Sequence, residues 1–499
     1  MAFGTRGDVF PIAALATAFS RDQRQYNVIL ITHYAHESLK LHLEAENVSF
    51  LGVSTPPVLS VAQDDTTSSF KGPLFNLHKK AIQEKHRQEC LLAVERVLED
   101  SVSTGKDFIL INFFALEGWS LAELFQVRCI IAAPYVVPYS APSSFERKFS
   151  AEFPLLYKYF QEAPADKLCW KDVIHWMWPL FGEDWASWRS DYLNISRLPS
   201  TDPITGLPTW YQRSKSPLLL YGFSKAVVEC PGYWPSNTHI CGFWCLPMEW
   251  QFSCDECKMS TNNNRLCGDH YDLQLFLELD SDHRSPIFVG LSSVGSMGFL
   301  RNPMAFLMVL KAVLEGTGCK FLLLTCGYEP LESAIQHIAS TSPSYSQSQS
   351  NCKDCKILFN GRLFCFYGSL PYSWLFQRCS VVIHHGGSGS TAAALRAGVP
   401  QIICPFMFDQ FYWAERMFWL GLAPEPLQKH HLVPEDNDAT SIEQASQALM
   451  KSIRSALSSD MKSRAYETAT TIIQEDGVGE ALKILEEDVT SSAMPEIET

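Results

Sequence analysis

The residues best suited to chemistry lie in one stretch, SVVIHHGGSGSTAAALRAGVPQIICPFMFDQFYWAERM (380–417). An apolar run ends in two histidines, and Gly386, Gly387 and Gly389 then lead into Ser390, Thr391 and an alanine-rich helical pattern. Glycines let backbone N–H groups approach an anion closely, and a helix N-terminus adds partial positive charge. The segment therefore reads as a diphosphate cradle. Hydroxyls of Ser388, Ser390 and Thr391 would serve as extra donors, and His385, at the end of the strand, could donate to a phosphate oxygen. Gly398 ends the helix and Pro400 opens the next strand. Asp409 and Gln410 follow that strand's carboxyl end, a carboxylate and an amide suited to sugar hydroxyls. The competing reading is an ordinary strand–turn–helix with packing glycines and a surface Asp-Gln pair. The joint order of HHGG, ST, GVP and DQ argues against it.

Other residues offer weaker chemistry. The chain opens MAFGTRGDVFPIAALATAF, a glycine-bearing turn that runs into a helical stretch after only Met1, Ala2 and Phe3. Cys254-x-x-Cys257 followed by Cys267-x-x-His270 matches zinc-site spacing, and Cys352 and Cys355 form a second pair. In a chain with sixteen cysteines, reduced and unligated thiols are preferred over a structural zinc. Five tryptophans crowd residues 170–188, and Trp178, Phe181, Trp185 and Trp188 fall on one helical face. They form either an apolar wall for a flat acceptor or plain core, and core is preferred. Glu117 follows a strand end and reads first as a helix-start carboxylate, second as an acceptor-side group. His33 and His36 follow the strand YNVILIT, where α/β sheets place active-site contacts. They read as surface or loop histidines, and either is a reserve base.

The elements that must position these groups alternate. YNVILIT (26–32), VSFLGV (48–53), DFILINFF (107–114), RCIIAA (128–133) and PLLLYGF (217–223) read as strands in the first half. PIFVGL (286–291), KFLLLT (320–325), RLFCFYG (362–368), SVVIHH (380–385) and QIICPF (401–406) do so in the second. Helical patterns such as 78–100 lie between them, which implies parallel, doubly wound sheets. The expected organisation is a first α/β domain over 1–245, a linker over 246–284 and a second α/β domain over 285–460. A C-terminal helix over 461–490 then returns to the first domain, and a disordered tail occupies 491–499. Residues 340–352 form a polar, serine-rich insert.

At 499 residues two domains are expected, and a formal charge of -14 argues against a nucleic-acid-binding or anionic-membrane surface. No apolar run reaches transmembrane length and no secretory signal pattern opens the chain. With the cysteine count this points to reduced thiols and a cytoplasmic protein, peripheral at membranes at most.

The 380–417 segment resembles the donor-binding signature of GT-B glycosyltransferases that use nucleotide-diphosphate sugars. Within them it is similar to the sterol 3-β-glucosyltransferase and antibiotic-glycosyltransferase branch, with its HHGG-x-GTT, RAGVP and P-x-x-x-DQ motifs. GTRGDVFP resembles that branch's N-terminal GTRGDV-x-P, so the resemblance spans the chain. It implies a GT-B fold, two Rossmann-like doubly wound parallel-sheet domains facing a cleft, with acceptor bound by the first and UDP-sugar by the second. By the same resemblance Asp8 is the general base, and a hexose, glucose by branch, passes with inversion to a hydroxyl of a sterol or other lipophilic acceptor. No cofactor or divalent metal is required. Ser292, Ser293 or Ser296 in VGLSSVGSMGF, with Leu370, would lie on the nucleoside side, and Arg6, His33, Glu117 and Trp178 on the acceptor side. The chain has PYSWLF (371–376) where the family shows PHDWLF, and VGLSSVGSM where it shows VGFGSM. The family's central first strand is here reduced to three residues, so a truncated and weakened first sheet is expected. Two further readings are a sugar-nucleotide epimerase on the same fold and a homologue that binds without turnover.

Overall fold

Each apolar run finds a sheet position because a parallel strand, covered on both faces, must be apolar throughout. The computed structural model describes residues 1–58, 73–99, 107–136, 141–260, 265–278, 285–341 and 354–491. The serine-rich insert beyond residue 341, Cys352 and residues 492–499 of the tail lie outside the described residues. The chain forms two units. Unit 1 is built from Met1–Pro57, from the described part of Thr67–Cys245 and from Asp476 onward, and unit 2 runs from Leu246 to Glu475.

Unit 1 contains β1 (Val28–His33), β2 (Val48–Val53), β3 (Phe108–Ile111), β4 (Arg128–Ala133), β5 (Leu219–Tyr221) and β6 (Thr238–Ile240). All pairings are parallel: β1 with β2, and β3-β4-β5-β6 in order. The opening residues fill the space between the two groups. Ala2 N donates to Ile31 O of β1 (3.0 Å). On the other side the Met1 nitrogen donates to Leu110 O (2.7 Å) and Asn112 N donates to Met1 O (3.3 Å). That pair is the slanted pattern of a parallel ladder. Met1, Ala2 and Phe3 are buried. The expected gap in the first sheet is thus spanned: three residues give the neighbouring ladders partners and cover their apolar faces.

Asn112, fully buried just past β3, locks this segment. Its Nδ2 donates to Phe3 O (2.8 Å) and to Asp8 O (3.3 Å), and its Oδ1 accepts from Phe3 N (3.2 Å). Helix α1 (Arg6–Asp22) follows. The helix Gly477–Ser491 packs against α1, anchored by the Arg128–Asp488 ion pair and by Trp244 Nε1 donating to Gly477 O (3.1 Å). The return to unit 1 therefore begins at Asp476, later than the expected 461, because the helix Ser459–Ile472 packs within unit 2.

Unit 2 contains β7 (Ile287–Gly290), β8 (Phe321–Leu324), β9 (Cys355–Leu358), β10 (Leu363–Phe366), β11 (Val381–His384) and β12 (Gln401–Ile403), ordered β12-β11-β7-β8-β10-β9. Only β9, at the edge, is antiparallel. Side chains alternate between faces. Val289, Leu323 and Ile383 face one core with the helix Pro303–Thr317. Phe288, Leu322, Phe364 and Val382 face the other. Residues 246–278, expected as linker, contribute Phe252, Cys257, Cys267, Leu273 and Leu277 to that second core. Strands β6 and β9 went unforeseen because both are short, and β9, at the sheet edge, is buried only at its two ends. No helix among the described residues is long and apolar enough to cross a membrane.

Asn112→Ala leaves the Phe3 N–H and C=O buried without partners and should destabilise unit 1 by about 2–4 kcal/mol, read as a lower denaturant midpoint.

Candidate functional site

The chain leaves β7 for β8 on one side and returns through β11 on the other, so the switch point of unit 2 lies between β7 and β11. In open α/β sheets ligands bind at the carboxyl ends of the strands flanking such a point. His384 ends β11 there, His385 follows it, and after Gly386 and Gly387 the helix Ser388–Ala397 begins. Its first intrahelical amide bond is Thr391 N to Gly387 O (3.0 Å), so the N–H groups of Ser388, Gly389 and Ser390 lie at the open end. Ten residues of aligned peptide dipoles stand behind them.

The loop is held by His384, a residue the sequence reading passed over. Gly386 N donates to its Nδ1 (3.0 Å), so Nε2 carries the proton and donates to Gln401 Oε1 on β12 (2.9 Å). Burial lowers the His384 pKa to about 4, which agrees with a neutral ring. Gly386 has φ +85, and a Cβ there would lie 2.8 Å from Ile403 Cγ2 and 3.0 Å from Gln410 O. Gly387 lies under the next ring, since a Cβ would stand 2.4 Å from His385 Nε2. His385 is buried, and its Nδ1 has no hydrogen-bond partner among the described residues. Burial, helped by His384, lowers its pKa to about 3. A neutral imidazole with an unsatisfied nitrogen beside open helix N–H groups is suited to an anionic oxygen. The hydroxyl of Thr391 is not an extra donor: it is buried and donates to Gly387 O (3.1 Å).

The Asp409–Gln410 pair adjoins this loop through the contact of Gly386 with the Gln410 backbone. Gln410 Oε1 accepts from Phe406 N (2.9 Å) and Met407 N (3.0 Å), which leaves the amide nitrogen as its outward donor. Asp409 Oδ2 accepts from Trp413 Nε1 (2.9 Å). Phe408, just before them, is held at φ +53, a conformation costing about 1–3 kcal/mol in a residue of its size. Ser292 (φ +50) and Ser293 stand at the carboxyl end of β7 beside β11, with Ser296 exposed farther along that loop. Leu370 is buried just past β10 on the same sheet edge.

In unit 1 the opening loop occupies the corresponding edge. Asp8 is the third residue of α1, and its Oδ2 accepts from Thr5 N (2.6 Å) and Thr5 Oγ1 (2.9 Å), a capping box. Gly4 has φ +106, and a Cβ on it would lie 2.5 Å from Asp8 Oδ2. Burial pushes the Asp8 carboxyl up to about 6 against the lowering effect of the Thr5 bonds. Oδ1 makes no hydrogen bond among the described residues. His33, buried at the end of β1, donates from Nδ1 to Thr55 O (2.7 Å), and burial with His86 nearby lowers its pKa to about 4. His36 Nε2 meets Gly4 O (3.0 Å). His33 and His86 both flank the Phe3 ring, at 4.9 and 4.5 Å. Arg6 is exposed at the start of α1, its guanidinium 5.9 Å from the Phe10 ring.

Two expected acceptor-side groups are differently employed. Glu117 is buried with Arg87 Nε 3.8 Å from its Oε1, and that guanidinium lies over Trp185. Trp170, Trp176 and Trp188 are core, whereas Trp178 is half-buried with its edge toward Phe145. Cys254, Cys257, Cys267 and His270 converge in unit 2, their ligand atoms all within 4.8 Å of one another.

Two doubly wound parallel α/β units, the second with a glycine-bearing loop leading into a helix at its switch point, are the architecture of the GT-B glycosyltransferase fold. The crystal structure of the glycotransferase of kitacinnamycin aligns over 99% of this chain and 98% of its own, with a TM-score of 0.56 at 12% identity. Residues 362–466 match the erythromycin biosynthesis protein CIII-like C-terminal domain family. The chain is similar in sequence to sterol 3-beta-glucosyltransferases and to antibiotic-type glycosyltransferases. It is 41% identical over 112 residues to an Arabidopsis thaliana sterol 3-beta-glucosyltransferase, covering 22% of this chain and 16% of that protein. Similarity to the O-mycaminosyltylonolide 6-deoxyallosyltransferase of Streptomyces fradiae runs at 26% over 98% of this chain and 96% of that one. The first curated relatives matched are covered over 16–25% of their own length.

Acid should weaken the fold in a defined window. His33, His175, His384 and His385 have folded pKa values near 4, 4, 4 and 3 against about 6.5 unfolded, so the unfolded chain takes up their protons first. Stability from these groups is complete above pH ~6.5 and falls as pH drops toward 4, by about 1.4 kcal/mol per pH unit for each. Asp8, raised to about 6, opposes them, since the folded carboxyl protonates first. The denaturant midpoint followed by tryptophan fluorescence should therefore drop between pH 7 and pH 5. A flat midpoint would count against neutral buried imidazoles.

Proposed function

We propose that this protein is an inverting glycosyltransferase that moves a hexose, glucose, from a UDP-sugar to a hydroxyl of a sterol or similar lipophilic acceptor. The observation that carries the reading is the anion cradle of unit 2, with three open helix N–H groups and the unsatisfied His385 Nδ1 at the sheet's switch point. The nucleoside and sugar class rest on homology to the sterol glucosyltransferases, as does the acceptor class.

In this mechanism the acceptor oxygen attacks the anomeric carbon as the bond from that carbon to the diphosphate oxygen breaks. Asp8 takes the acceptor proton on Oδ1 while the Thr5 cap fixes Oδ2. A carboxyl near pKa 6 is ionised at pH 7 yet more basic than an exposed aspartate, which suits a general base. Charge developing on the leaving diphosphate is met by the N–H groups of residues 388–390 and by His385. Asp409 and the Gln410 amide hold sugar hydroxyls, and the end of β7 with Leu370 borders the nucleoside.

Transfer from UDP-glucose across a panel of sterol, lipid and phenolic acceptors tests the reading. Asp8→Asn should lower kcat by about 10²- to 10⁴-fold. For the native protein kcat/KM should rise as pH passes through about 6. Undiminished turnover in Asp8→Asn removes Asp8 from its role. Gly387→Ala displaces the His385 ring and should raise the donor KM about tenfold or more, equivalent to ~1.4 kcal/mol. Product of retained anomeric configuration would defeat the single displacement.

A further inference from the structure

Unit 2 brings together four ligand-type side chains that the glycosyl-transfer site does not use. Cys254 directly precedes the helix Asp255–Ser260, and Lys258 N donates to Cys254 O (3.1 Å), so Cys254 and Cys257 share one helical turn. Cys267 and His270 share a second turn, closed by His270 N donating to Cys267 O (3.1 Å). The two turns face each other. Cys254 Sγ and Cys267 Sγ are 3.7 Å apart, and Cys257 Sγ and Cys267 Sγ 3.4 Å. His270 Nδ1 is 3.4 Å from Cys257 Sγ and 3.1 Å from Cys267 Sγ. Cys257, Cys267 and His270 are buried.

Tetrahedral zinc has Zn–S bonds of about 2.3 Å and Zn–N bonds of about 2.0–2.1 Å, which places neighbouring ligand atoms roughly 3.5–3.8 Å apart. The four edges through Cys257, Cys267 and His270, 3.1–3.7 Å, lie close to that size, and all six fall within 4.8 Å. Without a metal, three thiols and an imidazole would share a buried site with only weak S–H donors to satisfy them. A disulfide would consume two of the thiols and leave the convergence of the third and of His270 unexplained. Cys267 N also donates to Cys257 Sγ (3.5 Å), a backbone bond that favours thiolate at that sulfur.

From this geometry we infer that Cys254, Cys257, Cys267 and His270 form a structural zinc site. Binding releases three thiol protons, and the imidazole ligates as the neutral ring through Nδ1. Four protein ligands fill the tetrahedron, so no position is open for substrate and the metal is a staple rather than a reactant. What it staples is defined by its neighbours. The His270 ring stands edge-on to Phe366 of β10, 5.5 Å between centroids. Ser253, next to Cys254, accepts on Oγ from Ser369 N (2.9 Å) and donates from N to Ser369 O (3.2 Å). The zinc thus fastens residues 252–260 and 265–277 over one face of the unit 2 sheet and ties them to the loop that carries Leu370.

The test is metal content of the full chain, purified without a metal-binding tag and passed through EDTA-containing buffer before elemental analysis. About one equivalent of zinc per chain is expected. Exchange with cobalt(II) should give the intense visible bands of a tetrahedral, thiolate-bound ion. Cys254→Ser combined with His270→Ala should lower zinc at least tenfold, whereas Cys230→Ser, an exposed cysteine of unit 1, should leave it unchanged. If the double variant fails to fold, thiol counting on the native chain decides, because a chelator strong enough to strip zinc should expose three newly reactive cysteines. Less than a tenth of an equivalent of zinc in folded protein overturns the inference. So does an octahedral cobalt spectrum, full zinc retention in a folded double variant, or a Cys257–Cys267 disulfide in protein kept reduced.

Discussion

A parallel sheet covered on both faces leaves no room for polar chemistry except at its ends. Every residue of β7, β8, β10, β11 and β12 is buried, and the side chains alternate between two apolar cores. Polar groups must therefore collect where the strands give way to loops. The carboxyl ends are favoured, because helices start there and leave N–H groups open. The glycine loop after β11, the serines after β7 and the Asp409–Gln410 pair after β12 all occupy that edge of unit 2. Gly4, Asp8, His33 and Asn112 do so in unit 1.

Each edge is rigidified by one buried polar side chain that takes no part in the proposed chemistry. His384 bonds through both ring nitrogens and so fixes Gly386 and β12 together. Asn112 clamps Phe3 and the Asp8 carbonyl, which ties the opening loop to β3. In both cases the side chain satisfies backbone groups that would otherwise be buried without partners. Among the described residues, the groups not consumed in this way are chiefly His385 Nδ1 and the first-turn amides of the helix Ser388–Ala397.

The segment Met1–Phe3 and the segment 246–278 carry a common lesson about chain economy. Three residues bridge the unit 1 strands because Ala2 N meets β1, the Met1 nitrogen meets β3, and Asn112 takes Met1 O and both backbone groups of Phe3. The stretch that reads as linker is instead a covering layer, since Phe252, Leu273 and Leu277 pack on the apolar face of unit 2. Within its described residues, two short turns bring Cys254, Cys257, Cys267 and His270 together.

The ten apolar runs and the glycine loop were legible in sequence because they depend on local pattern: continuous apolar stretches bounded by turn residues, helix starts and the φ allowed to glycine. The contacts between the two cysteine turns, the tautomer of His384, the commitment of the Thr391 hydroxyl and the Asn112 clamp were not. Each depends on which residues distant in sequence, or on neighbouring turns, arrive at one point, and a hydrogen bond is decided by distance and direction alone. Asp8 illustrates the division. Its type and place after GTRG are visible in the chain, whereas only the folded loop decides that Thr5 binds Oδ2, that Gly4 must lack a side chain and that burial raises the carboxyl toward 6.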